Sequence, residues 1–117
     1  MMVQMTVQVS EKLAHRLRPI ASWPPTVLEL SLVGLKTVAA ATASEVVRFL
    51  EGGPTTQEIL DYHASEESQQ RLQRLLALSA AGLLGEAERQ ELDEREEIEH
   101  IVVMLKAEAV QHLKQTA

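Results

Sequence analysis

The chain has 117 residues, a formal net charge of −6, 45% hydrophobic residues, three aromatics and no cysteine. That length sets one domain, or one small domain with an extended tail. The missing cysteines exclude disulfides and thiolate metal sites. A thin aliphatic core, with only Trp23, Phe49 and Tyr62 as aromatics, favours burying surface against another chain. The charge is uneven: residues 1–36 carry +2 and the remainder −8, which suggests a basic head and an acidic tail with different partners. An acidic tail that only keeps the chain dispersed is the plainer alternative. No basic stretch leads into an apolar run at the N-terminus, so a signal peptide is not expected. The most apolar segment, 27–43, is interrupted by Glu29 and Lys36 and makes a poor membrane span. The expectation is a cytoplasmic protein with no membrane partner.

Residues 3–9, VQMTVQV, alternate strictly. Val3, Met5, Val7 and Val9 share one face, and Gln4, Thr6 and Gln8 the other, which predicts a strand that buries one side. One strand of this length is not stable alone, and no second strand is evident downstream. A second copy of the chain is the simplest source of a partner. The amide and hydroxyl face suits base edges in a major groove; an ordinary solvent face fits it equally well.

Ser10 is a candidate cap for a short helix over about 11–18, with Glu11 in its first turn and Leu13, Leu17 and Ile20 as its stripe. Pro19 limits it. Ser22-Trp23-Pro24-Pro25-Thr26 reads as a turn, with Pro25 at the start of a second helix to about Lys36. That helix is apolar nearly all round (Val27, Leu28, Leu30, Leu32, Val33, Leu35), as expected of a buried or interface helix.

This succession of strand, short helix, turn and apolar helix resembles the ribbon-helix-helix fold of bacterial repressors and antitoxins. The resemblance implies a mainly α fold with a single N-terminal strand that pairs across a homodimer, followed by a helical tail. In that family the paired strands enter the major groove. By position it implies operator DNA contacts from Gln4, Thr6, Gln8, Lys12, Arg16 and Thr26. It implies a dimer interface of Val3, Met5, Val7, Val9, Leu28, Leu32 and Leu35. The chain departs from the family at Pro24 and Pro25, which lack amide donors where a DNA phosphate is held. Four basic side chains are also few for an affinity that rests on neutralising phosphates.

The run 37–43 reads as a continuation of the second helix, and Ser44 as a cap for a helix over 45–51 that Gly52-Gly53-Pro54 stops. Thr55 and Glu58 form a capping box for a short helix through Tyr62. Ser65 is the next cap, with Leu72, Leu75 and Leu76 as a stripe. Gly82 and Gly85 bracket a break. From Glu86 one long helix is predicted, with Leu92, Ile98, Ile101, Val102, Leu105, Ala109 and Leu113 on one side and the acidic run 91–99 opposite. The tail segments Ala64-Ser65-Glu66-Glu67, Glu91-Leu92-Asp93-Glu94, Ile98-Glu99-His100 and Leu105-Lys106-Ala107-Glu108-Ala109 resemble those of small bacterial antitoxin-like proteins. That resemblance implies a protein toxin or nuclease as partner of residues 37–117, beside a head of residues 1–36.

No catalytic constellation emerges, so an enzyme, a cofactor and a metal are not expected. Glu97-x-x-His100 has the spacing of a di-iron ligand pair, and Glu108 with His112 lies four apart. A bundle site needs two such pairs and further carboxylates, so a solvated helix face is the expectation. No Gly-x-Ser-x-Gly elbow organises the serines, the Gly52-Gly53-Pro54-Thr55 segment lacks a phosphate-loop lysine, and His15 and His63 stand isolated. Taken with the unpaired N-terminal strand, the family resemblances imply a dimeric DNA-binding regulator of antitoxin type. A helical homo-oligomeric adaptor that does not bind DNA is the alternative.

Overall fold

The computed structural model describes residues 3–20 and 24–116. Among these are six α-helices and one 3-10 turn, in the order α1 (Glu11–Leu17), the turn Arg18–Ile20, α2 (Pro24–Leu32), α3 (Ala40–Glu51), α4 (Thr56–Asp61), α5 (Glu66–Ala80) and α6 (Glu86–Thr116). The expected mainly helical fold is present. Of the expected turn Ser22-Trp23-Pro24-Pro25-Thr26, Ser22 and Trp23 lie outside the described residues, and Pro24–Thr26 already belong to α2, which starts one residue before the expected Pro25.

The N-terminal strand is not formed in the single chain: residues 3–10 have no regular structure, and both faces of the alternation are exposed. The reason is physical. A strand is defined by a ladder of hydrogen bonds to a neighbour, and among the described residues no other segment is extended beside this one. The first helix begins as expected, with Ser10 Oγ accepting from the Leu13 amide at 3.1 Å, but none of its residues is buried.

The second helix is shorter than its apolar run. It ends at Leu32, and Gly34 takes φ +69°, a left-handed conformation in which glycine suffers no Cβ clash. Residues 37–43 accordingly do not continue α2. Thr37 Oγ1 accepts from the Ala39 amide at 3.2 Å, the turn tightens through Ala40 N–H to Thr37 C=O at 3.1 Å, and α3 starts at Ala40. The expected cap Ser44 lies inside α3 and is exposed.

The other local signals hold. Gly53 adopts φ +66° after α3. The Thr55–Glu58 capping box is complete: the Glu58 amide donates to Thr55 Oγ1 at 3.1 Å and the Thr55 amide to Glu58 Oε1 at 3.0 Å. Ser65 caps α5, accepting from the Ser68 amide at 3.2 Å. With 31 residues, α6 runs roughly 46 Å at 1.5 Å per residue.

This long helix is the spine of the core. Ile98, Ile101, Leu105 and Ala109 pack in one cluster with Leu30 of α2, Ala39, Ala43, Val46 and Leu50 of the α3 region, and Ile59 of α4. The core thus runs across residue 36. Phe49 and Tyr62 stack beside it with ring centroids 4.5 Å apart at 36°. The α6 stripe is as predicted except at its end, where Leu113 is exposed, and Leu76 of α5 is likewise exposed. No helix among the described residues is long and apolar enough to cross a membrane.

The acidic run does not form a uniformly solvated face. Glu91 and Glu94, with Arg95, are buried. They lie in register with the core stripe of α6, at helical spacings from Ile98 and Leu105.

Candidate functional site

Two regions carry side chains that the fold does not require for its core. The first is the N-terminal face. Val3, Met5 and Val7 are 75%, 84% and 74% exposed, and Leu28 and Leu32 of α2 are 61% and 83% exposed. Val9 and Leu13 are open as well. Leu35, the remaining candidate interface residue, is half-buried and packs against the core. The helix that appeared apolar all round therefore buries only one side, with Leu30 inward and Leu28 and Leu32 outward.

Of the candidate DNA contacts, Gln4, Thr6, Gln8 and Lys12 are exposed. Arg16 is exposed too, with Nη2 3.7 Å from Glu51 Oε1, a distance at which a surface ion pair contributes little. Thr26 alone is turned inward, at 5% exposure. A groove of about 520 Å³ lies between α1, α2 and α3, lined by Arg16, Val27, Leu30 and Arg48 among others.

The second region is a polar seam between α3, α5 and α6. Glu91 is held from two sides. Arg71 grips it in a fork, Nε to Oε2 at 2.9 Å and Nη2 to Oε1 at 2.8 Å, and Arg95 Nε donates to Oε2 at 2.8 Å. Hydrogen bonding from Arg71 is the main cause that lowers the Glu91 carboxyl to about 2. Arg95 and the charges of both guanidiniums add to it, against the upward push of burial. In return, the bond to Glu91 raises the Arg71 pKa.

From Arg95 the network continues. Nη1 donates to Thr42 Oγ1 at 3.0 Å, Thr42 and Ser68 hydroxyls sit 3.0 Å apart, and Ser68 Oγ reaches Glu45 Oε1 at 3.4 Å. Ser65 Oγ also donates to Glu45, at 2.9 Å. This hydrogen-bonded chain ties three helices together, and each link polarises the next. One turn along α6, Glu94 accepts from the Lys36 and Thr37 amides (each 3.1 Å at its shortest), from Thr37 Oγ1 at 2.7 Å and from Gln90 at 3.3 Å. Burial pushes the Glu94 carboxyl up, but these hydrogen bonds outweigh it and hold the pKa below its ordinary value. Glu94 therefore fastens the joint between α2 and α3.

Beside the seam lies a pocket of about 370 Å³ whose lining includes Tyr62, His63, Arg95, Glu99 and Lys106. Burial, and then the charge of Glu45, raises the Tyr62 phenol above its ordinary pKa. His63 Nδ1 lies 3.2 Å from the Asp61 carbonyl. Glu97 and His100 are exposed, and among the described residues no three His, Asp or Glu side chains converge on a metal position.

Sequence reasoning missed the seam because Glu91, Glu94 and Arg95 were absorbed into a charge run. The available signal was their spacing, since 91, 94, 95, 98, 101, 102 and 105 form one continuous helical stripe. Compared with known proteins, the chain matches no family model, no curated protein and no solved structure.

Proposed function

We propose that the protein is a dimeric DNA-binding regulator of antitoxin type. Two copies pair through residues 3–9, present Gln4, Thr6 and Gln8 to an operator, and use the helical region 37–117 to hold a protein partner such as a toxin or nuclease. The observation that carries this reading is the open N-terminal face. Val3, Met5, Val7, Leu28 and Leu32 are all more than 60% exposed, although the first three lie on a strict alternation and the other two on the apolar helix α2. Large apolar side chains left this open are what a partner surface would cover. An antiparallel second copy would supply the missing ladder and cover Val3, Met5, Val7 and Val9 together with Leu13, Leu28 and Leu32. The free amides and hydroxyl of Gln4, Thr6 and Gln8 would then project from the opposite side of the ribbon.

A second reading is a helical adaptor that dimerises in the same way but does not bind DNA. Thr26 turned inward, Arg16 placed beside Glu51 and the net charge of −6 favour it.

One experiment separates them. Sedimentation of the wild-type chain is expected to give twice the single-chain mass, and Met5→Lys with Val7→Lys to give the single-chain mass with unchanged helix content. A low-salt gel shift with palindromic DNA from upstream of its own gene should be positive for wild type. It should lose sequence preference in Gln4→Ala/Gln8→Ala, at about 1–3 kcal/mol per base contact. A dimer with no DNA shift selects the adaptor; a wild-type chain of single mass removes both.

A further inference from the structure

The outward side of α6 has a composition that the acidic run alone does not account for. Opposite the buried stripe, Asp93, Glu96 and Glu97 are exposed on its first half, followed by His100. The same outward arc then turns apolar: Val103 is 55% exposed, Met104 49% and Val110 38%, with exposed Ala107 between them. Residues 93–110 cover about 26 Å of helix at 1.5 Å per residue. None of the three acidic side chains makes an ion pair with another described residue. A helix whose outer surface joins unpaired carboxylates to a bare aliphatic stripe is built to receive a complementary helix.

We infer that this face of α6 docks a basic amphipathic helix of a partner protein, its apolar side on Val103, Met104, Ala107 and Val110 and its lysines or arginines on Asp93, Glu96 and Glu97. The inference rests on the reading that region 37–117 holds a protein partner, and it names the surface and the partner's chemistry. Charge selects among the candidate occupants. A second copy laid parallel would set carboxylates against carboxylates, and laid antiparallel about the middle of the stripe it would set exposed Arg89 against Lys114 and bring only that lysine's end of α6 toward the three acids. A membrane surface with anionic headgroups repels the acidic half, whereas helices that lie on such surfaces carry Lys and Arg. Nucleic acid is repelled for the same reason.

The test is an NMR titration of the full chain with a synthetic leucine–lysine amphipathic peptide of about 18 residues, which matches the stripe at 1.5 Å per residue. A control peptide carries glutamate in place of lysine. Amide shifts are expected along the outer face of α6, with binding weakened by salt and absent for the control. Val103→Lys with Val110→Lys should weaken binding by about tenfold or more, as should Glu96→Lys with Glu97→Lys. Both sites are exposed, so circular dichroism should show folding unchanged. Shifts centred on Glu66, Glu67 and Glu86, or equal binding of the control, would overturn the α6 site while leaving partner binding elsewhere in 37–117 intact. A dimer mass lost on Val103→Lys/Val110→Lys would show a second copy to be the occupant and overturn the inference. Absence of any binding would overturn the α6 site, while the partner-holding reading of 37–117 would still stand or fall on its other surfaces. Met5→Lys/Val7→Lys should titrate like wild type, so loss of the ribbon and loss of this docking face are told apart.

Discussion

Glu91 is one carboxylate between two guanidiniums, and its removal is not equivalent to removal of either arginine. Glu91→Gln leaves Arg95, 8% exposed, with a buried charge and no counter-ion, whereas Arg95→Met leaves Glu91 still forked by Arg71. Breaking a buried pair from the side that strands a charge costs about 3–5 kcal/mol. Urea unfolding at neutral pH should therefore show a loss of that size for Glu91→Gln and a smaller one for Arg95→Met. The acid limb has a determined sign. The folded pKa of Glu91 lies at about 2, below the ordinary 4.5, so its contribution is complete above pH 4.5 and is lost as pH falls toward 2. At 1.36 kcal/mol per unit, that contribution is at most about 3 kcal/mol. Glu94, also held below its ordinary value, acts in the same direction. A series of urea midpoints between about pH 5 and pH 2 should fall steeply for wild type and more gently for Glu91→Gln.

Among the elements, those whose ends are fixed by near neighbours were readable in the sequence, and those fixed from a distance were not. Ser10, Thr55 and Ser65 each cap a helix through a residue three positions on, and the Gly52-Gly53 stop is equally local. The start of α3 was misplaced because its approach is held by Glu94, 57 residues away from Thr37, and because Gly34 interrupts an apolar run whose hydrophobicity masks the break. The strand failed for the converse reason: its alternation is a local pattern, and no segment among the described residues pairs with it. The candidate site divides in the same way, since the exposed positions of Gln4, Thr6 and Gln8 follow from spacing, while the Arg71–Glu91–Arg95 seam requires α5 and α6 to be brought together. A local cap makes a local prediction. Thr55→Ala removes the Oγ1 that accepts from the Glu58 amide, while the backbone N–H at position 55 keeps its bond to Glu58 Oε1, and should cost about 1 kcal/mol. Amide exchange should quicken at Glu58 and Ile59, with Leu105 and the α6 core unaffected.

At the scale of the whole molecule, the core and the N-terminal segment stand at opposite ends of a stability gradient. From α2 onward, each helix contributes at least one buried side chain around α6, while α1 contributes none and residues 3–10 are exposed throughout. In an isolated chain, the amides of 3–9 should therefore exchange at nearly unprotected rates, because nothing among the described residues accepts from them. Pairing in an antiparallel two-stranded ribbon changes this in a specific pattern. Each strand of such a ribbon bonds its neighbour through alternate residues only, so protection should appear on every second amide and leave the intervening ones fast. Register fixes which set is protected, since a slip by one residue would exchange the apolar face for the Gln4, Thr6, Gln8 face. Protection that requires two chains must also follow mass action: it should grow with protein concentration and vanish in Met5→Lys/Val7→Lys. Amide exchange followed by NMR at two concentrations measures all of this in one series. Alternating, concentration-dependent protection confined to the N-terminal segment is the outcome expected of a ribbon completed by a second copy. Uniformly fast exchange at the higher concentration would leave Val3, Met5 and Val7 without a partner and remove the basis for operator binding.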